Sequence, residues 1–427
     1  MKPAAHALYT AALYLFSPAL AVYYAFKVRK RRMGFAGMAE RFGGAPALPP
    51  AGGESRLWLH AVSLGEMGVA AILVRALKEK RPGLRIVLST VTETGREAAF
   101  RIPGVEAAFY LPFDFPFAVR RALGRVRPDG LALIETELWP NLIRLAGEGG
   151  IPVAVVNGRL SERSFRGHRR FAALAGSPAE ELSGVAAREE RDARRFEALG
   201  ARRVLVTGNL KYDAPLPAGS GAGARSHGFE AGDAVIVAGS THPGEEAAVA
   251  KAVRALRSRH PSLGLLLAPR RLQRADEAEA ALRAEGLTPV RWSAWSKEGR
   301  PAPDRVVLLD VMGKLAGAYE GAALAFIGGS LIPHGGQNPI EAARWGVPAV
   351  FGPHMQNFAE VAEALVRQGG AIQVEGPFAL EMAFETWLSD PAARARAGGA
   401  ARDVVEANQG AAARTADFLL RLLEKPR

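Results

Sequence analysis

The carboxylate with the most suggestive placement is Glu66 in Ser63-Leu64-Gly65-Glu66, at the mouth of one apolar run and the start of a helical pattern. A carboxyl there becomes a general base once burial lifts its pKa toward neutrality. It is equally an acid in a first helical turn, where the helix dipole favours negative charge. A second group is Glu135-Thr136-Glu137, ahead of Leu138-Trp139-Pro140-Asn141. Paired carboxylates suit a divalent cation, an acid/base pair, or a charged cap before Pro140. The chain holds no Asp-x-Asp, so a metal-dependent sugar-transfer site is not favoured. Lys211, in Gly208-Asn209-Leu210-Lys211-Tyr212-Asp213, could neutralise developing charge. Arg270 and Arg271, after Ala268-Pro269, offer forks that suit carboxylate or phosphate. For all three basic residues, plain solvation is the simpler reading.

The most informative segment runs from Gly328-Gly329-Ser330 to Gly335-Gly336-Gln337-Asn338-Pro339-Ile340-Glu341. Glycines let a backbone approach a ligand closely. Asn338 is a natural N-cap, Pro339 suits the first helical position, and Glu341 falls three residues after the cap. A helix start of this kind favours phosphate, hence a nucleotide; alternatively Glu341 only completes a capping box. No G-x-G-x-x-G or Walker A run points to a dinucleotide or ATP. The eight histidines show no metal-binding spacing, and His60, inside an apolar strand, reads as structural. Cysteine is absent, which excludes disulfides, thiolate metal sites and cysteine nucleophiles.

These groups need elements to carry them. Apolar runs at 57–62, 85–90, 131–134 and 153–156 alternate with helical patterns, and a second series follows at 235–239, 265–268, 306–309, 324–327 and 347–350. Strands without polar alternation, spaced by helices, imply parallel sheets covered on both faces. The fold class expected is α/β, two Rossmann-like domains facing a central cleft, with ligands at the C-terminal strand ends. The divisions are an N-terminal helix at 3–26, a first domain at 33–213, a Pro/Gly/Ser linker at 214–232, a second domain at 233–405 and a C-terminal helix at 406–427.

From Pro3 to Phe26 the only ionisable side chain that could carry charge is His6, and Lys27, Arg29, Lys30, Arg31 and Arg32 follow. At about 1.5 Å per residue that run can span a hydrocarbon core of roughly 30 Å, with the basic cluster held on the cytoplasmic side. A cleaved signal peptide is disfavoured by the length of the run, while Pro18 in its middle keeps an interfacial helix open. The 427 residues are 48% hydrophobic and 23% charged, ordinary for a globular protein, with a net charge of +12. That balance favours anionic partners. Without a nucleic-acid-binding signature, nucleic acid is the weakest of them.

Taken together and in order, HAVSLGE, STVTETG, YLPFDFP, ETELWPN, NGRLSERS, TGNLKYD, GSTHPGEE, APR, DVMGKL, FIGGSL and GGQNPIEAA resemble the 3-deoxy-D-manno-octulosonic acid (Kdo) transferases of lipopolysaccharide synthesis, over about residues 5 to 415. The resemblance implies a GT-B glycosyltransferase, anchored in the inner membrane and facing the cytoplasm. It implies transfer of Kdo from CMP-Kdo to a lipid A precursor, lipid IVA, with inversion and with neither metal nor cofactor. By the same resemblance Glu66 is the general base, and Glu135 (with Glu137 as the alternative) and Lys211 stabilise the transition state. Pro269 and Arg270, Met312-Gly313-Lys314, and Asn338, Pro339, Ile340 and Glu341 are the CMP-binding stretches. Similar proteins often carry Glu where Lys314 stands, a change that a backbone contact would survive. Two other classes compete: a GT-B transferase or epimerase using a UDP-sugar, and a non-catalytic protein that binds anionic lipid.

Overall fold

The computed structural model describes residues 1–31, 37–216, 228–230, 232–295, 302 and 304–424, with only the backbone described at 19–31. Most of the expected 214–232 linker, and the side chains of the basic run Lys27–Arg32, therefore lie outside the described residues. The chain divides into two compact units, Met1–Ala214 with Asn408–Arg427, and Pro215–Ala407.

Unit 1 is built on seven parallel strands: β1 (Arg56–His60), β2 (Arg85–Thr90), β3 (Val105–Tyr110), β4 (Gly130–Ile134), β5 (Val153–Gly158), β6 (Gly184–Ala187) and β7 (Val204–Val206). Their order is β3-β2-β1-β4-β5-β6-β7, with β1 and β4 side by side at the point where the winding reverses. Alternate residues serve opposite faces: Leu57 and Leu59 join one core, and Trp58, Leu131 and Leu133 the other. Burial on both faces explains why the runs are uniformly apolar. Strands β3, β6 and β7 are additions to the series expected from sequence. Their alanine-rich or very short runs (Val105-Glu106-Ala107-Ala108, Gly184-Val185-Ala186-Ala187) carry little apolar signal.

Unit 2 repeats the plan with β8 (Ala234–Thr241), β9 (Leu263–Pro269), β10 (Val290–Arg291), β11 (Val306–Leu308), β12 (Leu324–Ile327), β13 (Ala349–Phe351) and β14 (Ala371–Gln373), ordered β10-β11-β9-β8-β12-β13-β14. Every pairing is parallel. The edge strands β10 and β14 are the ones without a sequence expectation.

The tail after Asn408 belongs to unit 1. Asp213 makes that possible: its carboxylate oxygens accept the N–H groups of Gly410 at 2.7 Å and Ala412 at 2.6 Å, satisfying the start of the Ala411–Leu423 helix. Phe418, Leu419 and Leu423 then enter the core beside Leu73 and Leu77. Gly130 and Gly184 make room for them. A Cβ at Gly184 would stand 2.7 Å from the Phe418 ring.

The N-terminal helix spans Pro3–Arg31. Among the described residues no helix is long and apolar enough to cross a membrane. The described part of the expected 3–26 anchor is a helix seated on unit 1 by polar contacts. His6 Nε2 meets Glu181 at 2.8 Å, the Tyr9 hydroxyl donates to Asp114 at 3.0 Å and Thr10 donates to Asn141 at 3.1 Å. Pro18 withdraws the donor that the Tyr14 carbonyl would use, and the Ser17 hydroxyl replaces it at 2.8 Å.

Candidate active site

In unit 1 the C-terminal ends of neighbouring strands assemble one cluster. Just past β1, Glu66 sits in the first turn of the Leu64–Lys80 helix and accepts the Val62 N–H at 2.7 Å and the Ser63 hydroxyl at 3.3 Å. Burial pushes its carboxyl up to about 7, and the negative charges of Glu135 and Glu137 add to the rise. These three carboxylates therefore share one electrostatic neighbourhood.

Glu135 follows β4 with a φ of 68°, a left-handed conformation uncommon outside glycine. Its carboxylate is clamped by the Arg188 guanidinium, which also donates from Nε to the Asn157 carbonyl at 3.3 Å. Asn157 is left-handed too, at φ 51°, and its side-chain oxygen accepts the Leu210 N–H at 3.1 Å. That bond tethers the short turn carrying Lys211, which Asn209 caps at 3.1 Å. Burial brings the Lys211 ammonium down to about 8; Arg188 and Arg159 push the same way, and Glu135 and Glu66 oppose them. Glu137 is raised by burial and held by the Trp139 indole N–H at 2.9 Å.

Glu66, Glu135, Glu137 and Lys211 thus fall together. Arg188, Arg159 and Asn157 join them without having been singled out. Arg188 directly follows β6, a strand with too weak an apolar signal to mark its terminus. Asn157 and Arg159 stand at the end of β5 in NGRLSERS, so their position at a strand end was the available signal.

In unit 2 the expected nucleotide stretches also converge on strand ends. Pro269 closes β9 and pairs with Thr241 of β8; the exposed Arg270 donates its N–H to the Thr241 carbonyl at 2.9 Å. Met312, Gly313 and Lys314 form an exposed turn past β11. That turn leads to Tyr319, whose hydroxyl is raised by burial and by the charge of Glu341. The Trp345 indole donates to the Ala316 carbonyl at 2.7 Å, tying the two segments together.

Asn338 Oδ1 accepts the Ile340 N–H at 3.2 Å, but Asn338 stands one residue ahead of the cap position expected for it. The helix it opens is shorter than expected, Ile340–Ala343, with Pro339 in the cap position. It ends because the next turn tightens: Trp345 and Gly346 donate to Ala342 and Ala343, Gly346 takes a φ of 67°, and Pro348 follows.

The glycine-rich loop after β12 is organised by a residue that sequence reasoning left unassigned. Glu245, 1% exposed, accepts backbone N–H groups from His242 at 2.9 Å, Gly329 at 2.7 Å, Ser330 at 2.9 Å and Leu331 at 3.0 Å. Gly328 passes so close to β8 that a Cβ would lie 2.2 Å from the Ser240 carbonyl oxygen. His242 stands against His334, ring centroids 4.3 Å apart; burial first, then His334, Arg270 and Arg274, hold its imidazole down at about 4. Among the described residues no group of three or more His, Asp or Glu could hold a metal ion.

Residues 36–214 match the family model described as 3-deoxy-D-manno-octulosonic-acid transferase (kdotransferase). The chain is 40% identical to the 3-deoxy-D-manno-octulosonic acid transferase of Bordetella pertussis over 395 residues, covering 89% of this chain and 90% of that protein. It is 35% identical to the enzyme of the same name from Haemophilus influenzae over 398 residues, 91% and 92% of the two chains. Among solved structures, S. aureus MnaA with UDP is similar at a TM-score of 0.56 and 15% identity, over 87% of this chain and 99% of that one. MurG of Acinetobacter baumannii is similar at 0.54 and 14%, over 86% and 99%. At such identities these two likenesses establish the fold alone.

Proposed function

The chain belongs to the 3-deoxy-D-manno-octulosonic acid (Kdo) transferase family of glycosyltransferases, and we propose that it moves Kdo from CMP-Kdo to the lipid A precursor lipid IVA with inversion. Glu66 takes the proton of the acceptor hydroxyl. The freed oxygen attacks the anomeric carbon in line, and the bond to the phosphate of CMP breaks with its electron pair leaving on CMP. Lys211, held near the same carboxylates, offsets negative charge as it develops. Glu135, fixed by Arg188, orients that lysine. On unit 2, Pro269, Arg270, the Met312–Lys314 turn and Asn338–Glu341 hold the nucleotide.

The single observation that carries the reading is Glu66 itself: a half-buried carboxyl lifted to about 7, in the same electrostatic cluster as Lys211. A group with that pKa is substantially ionised at neutral pH yet still basic enough to accept a proton. The same reading places the protein at the inner membrane with its catalytic body toward the cytoplasm. What supports this is the uncharged run from Pro3 to Phe26 and the basic residues after it.

Incubation of the purified protein with CMP-Kdo and lipid IVA tests the reaction, with the lipid product read by mass. Transfer should fail in Glu66→Gln while CMP still raises the melting temperature. Stabilisation by UDP but not CMP would overturn the donor assignment, and undiminished transfer by Glu66→Gln would overturn the base.

A further inference from the structure

Unit 2 winds both ways from β8: the chain passes to β9 on one side and reaches β12 on the other. A sheet of this kind takes its ligand in the crevice beyond the C-terminal ends of those diverging strands. His242, the first residue past β8, stands there, in a GSTHPGEE run that the proposed function leaves unused. A Cβ on Gly329 would stand 3.3 Å from the His242 Cε1 and 3.4 Å from the Gln337 Nε2. The imidazole therefore lies against the glycine-rich loop, with Gln337, the neighbour of Asn338, beside it. A phosphate reaching that loop finds its N–H groups already used, since Glu245 accepts those of Gly329, Ser330 and Leu331. The charge that holds it must come from side chains.

The bonds of the His242 ring fix what it can do. Ser240 takes a left-handed φ of 57°, and its carbonyl meets Nδ1 at 3.1 Å. A carbonyl only accepts, so Nδ1 carries the proton and Nε2 is a bare acceptor. Nε2 has no hydrogen bond among the described residues. The uncompensated charges around the ring are positive. The His334 ring packs edge-on, centroids 4.3 Å apart, and Arg270 and Arg274 act on His242 from the segment after β9. Two carboxylates are near, and both are engaged. Glu245, 3.8 Å from Nδ1, also accepts the His242 N–H, and Glu246 is held by Arg274 at 2.9 Å. Arg270 is exposed and has no ion pair among the described residues. Burial and these cations keep the imidazole neutral, its pKa down at about 4.

We propose that His242 binds the phosphate of the nucleotide together with Arg270, and takes up a proton as it does so. The proton comes from solvent onto Nε2, which then donates to a phosphate oxygen, while Nδ1–H stays on the Ser240 carbonyl. No bond of the nucleotide is made or broken. The anion's charge offsets the repulsion from Arg270, Arg274 and His334 that otherwise excludes the imidazolium. The inference rests on the proposed function for the identity of the nucleotide. It adds that one proton enters with it, so nucleotide affinity falls as pH rises through the midpoint of the bound histidine.

Ring-nitrogen NMR of the full-length protein carrying ¹⁵N-histidine, at about pH 7, reads the proton directly. The chain has eight histidines, and loss of one signal in His242→Gln (or in His242→Asn, should the first not fold) identifies the right one. Without nucleotide it should show a neutral ring protonated at Nδ1. Saturating CMP should convert it to an imidazolium, and cytidine, which lacks the phosphate, should not. His334→Gln should raise the midpoint of His242 without nucleotide, because one source of repulsion is gone. In calorimetric titrations the affinity for CMP-Kdo should fall by up to about tenfold per pH unit above the bound midpoint, and the slope should vanish in His242→Gln. A histidine with only a structural role keeps its neutral pattern when CMP binds, and that result overturns the proposal. So does an imidazolium that forms on His334 instead. Binding of UDP without any response to CMP overturns the donor assignment, and the same spectra with UDP then decide the role of His242. A chain that binds neither nucleotide overturns both.

Discussion

The guanidinium of Arg188 holds the carboxylate of Glu135 across an intervening strand, since β5 lies between β4 and β6. The same guanidinium bonds the Asn157 carbonyl on that middle strand, so three strand ends are tied by one side chain. The clamp fixes a glutamate whose left-handed backbone costs about 1–2 kcal/mol. Arg188→Met should therefore destabilise the protein by about 2 kcal/mol. That is below the roughly 3–5 kcal/mol of a fully buried pair, because Glu135 keeps some solvent contact. Urea titration of Arg188→Met, Glu135→Gln and the double variant checks this. The double variant should be less destabilised than the sum of the singles, and strict additivity would show that the two groups are not coupled.

Glu66 makes a prediction about pH. Its folded pKa of about 7 lies above the ordinary 4.5, so between those values the folded chain binds more protons than the unfolded one. Stability contributed by this group is present below about pH 4.5 and declines as pH rises through 7. Activity should run the opposite way, with an acidic limb of apparent pKa about 7 in the rate of transfer. Glu66→Gln should remove the stability slope and lower turnover about 10²–10⁴-fold. A rate profile that is flat from about pH 5 to about pH 8 would refute the assignment.

Lys211 behaves in the reverse sense. Burial lowers its pKa to about 8 from 10.5, so over that interval the unfolded chain binds more protons and stability from this group rises with pH. Lys211→Met should abolish that rise, measured as thermal melts between neutral and alkaline pH. It should also depress transfer without removing CMP binding, which isothermal titration would separate.

The bond pair from Asp213 to Gly410 and Ala412 is a helix cap supplied by a distant residue. Asp213→Ala should cost about 1–2 kcal/mol, most of it as fraying of the Ala411–Leu423 helix. Hydrogen exchange of Ala411 to Leu423 should accelerate while β8 to β14 keep their protection. Uniform acceleration across both units would contradict a local cap.

Gly328 and Glu245 predict a separation between stability and nucleotide binding. Gly328→Ala places a methyl group 2.2 Å from the Ser240 carbonyl oxygen, so it must displace backbone and should destabilise unit 2 outright. Glu245→Gln keeps the volume but sets an amide NH₂ among backbone donors that one carboxylate now satisfies. It should lower CMP affinity at least about tenfold while leaving unit 1 folded. Calorimetric titration reads the affinity and circular dichroism the fold; unchanged CMP affinity would remove Glu245 from the nucleotide site.

The sequence by itself determined the alternation of apolar runs and helices, and hence two parallel α/β units. A strand buried on both faces must be apolar throughout, which is visible residue by residue. It also marked Glu66, Glu135, Lys211 and the glycine-rich 328–341 segment, because strand ends followed by polar or glycine residues are local features. Only the tertiary structure decided which of these meet. Arg188 reaches Glu135 from 53 residues away, Glu245 gathers a loop 84 to 86 residues distant, and Asp213 caps a helix near the C-terminus. Such pairings depend on strand order rather than on local pattern, and no periodicity encodes strand order. The raised carboxyl of Glu66 and the lowered ammonium of Lys211 follow for the same reason: both are caused by burial, which exists only once the chain has folded.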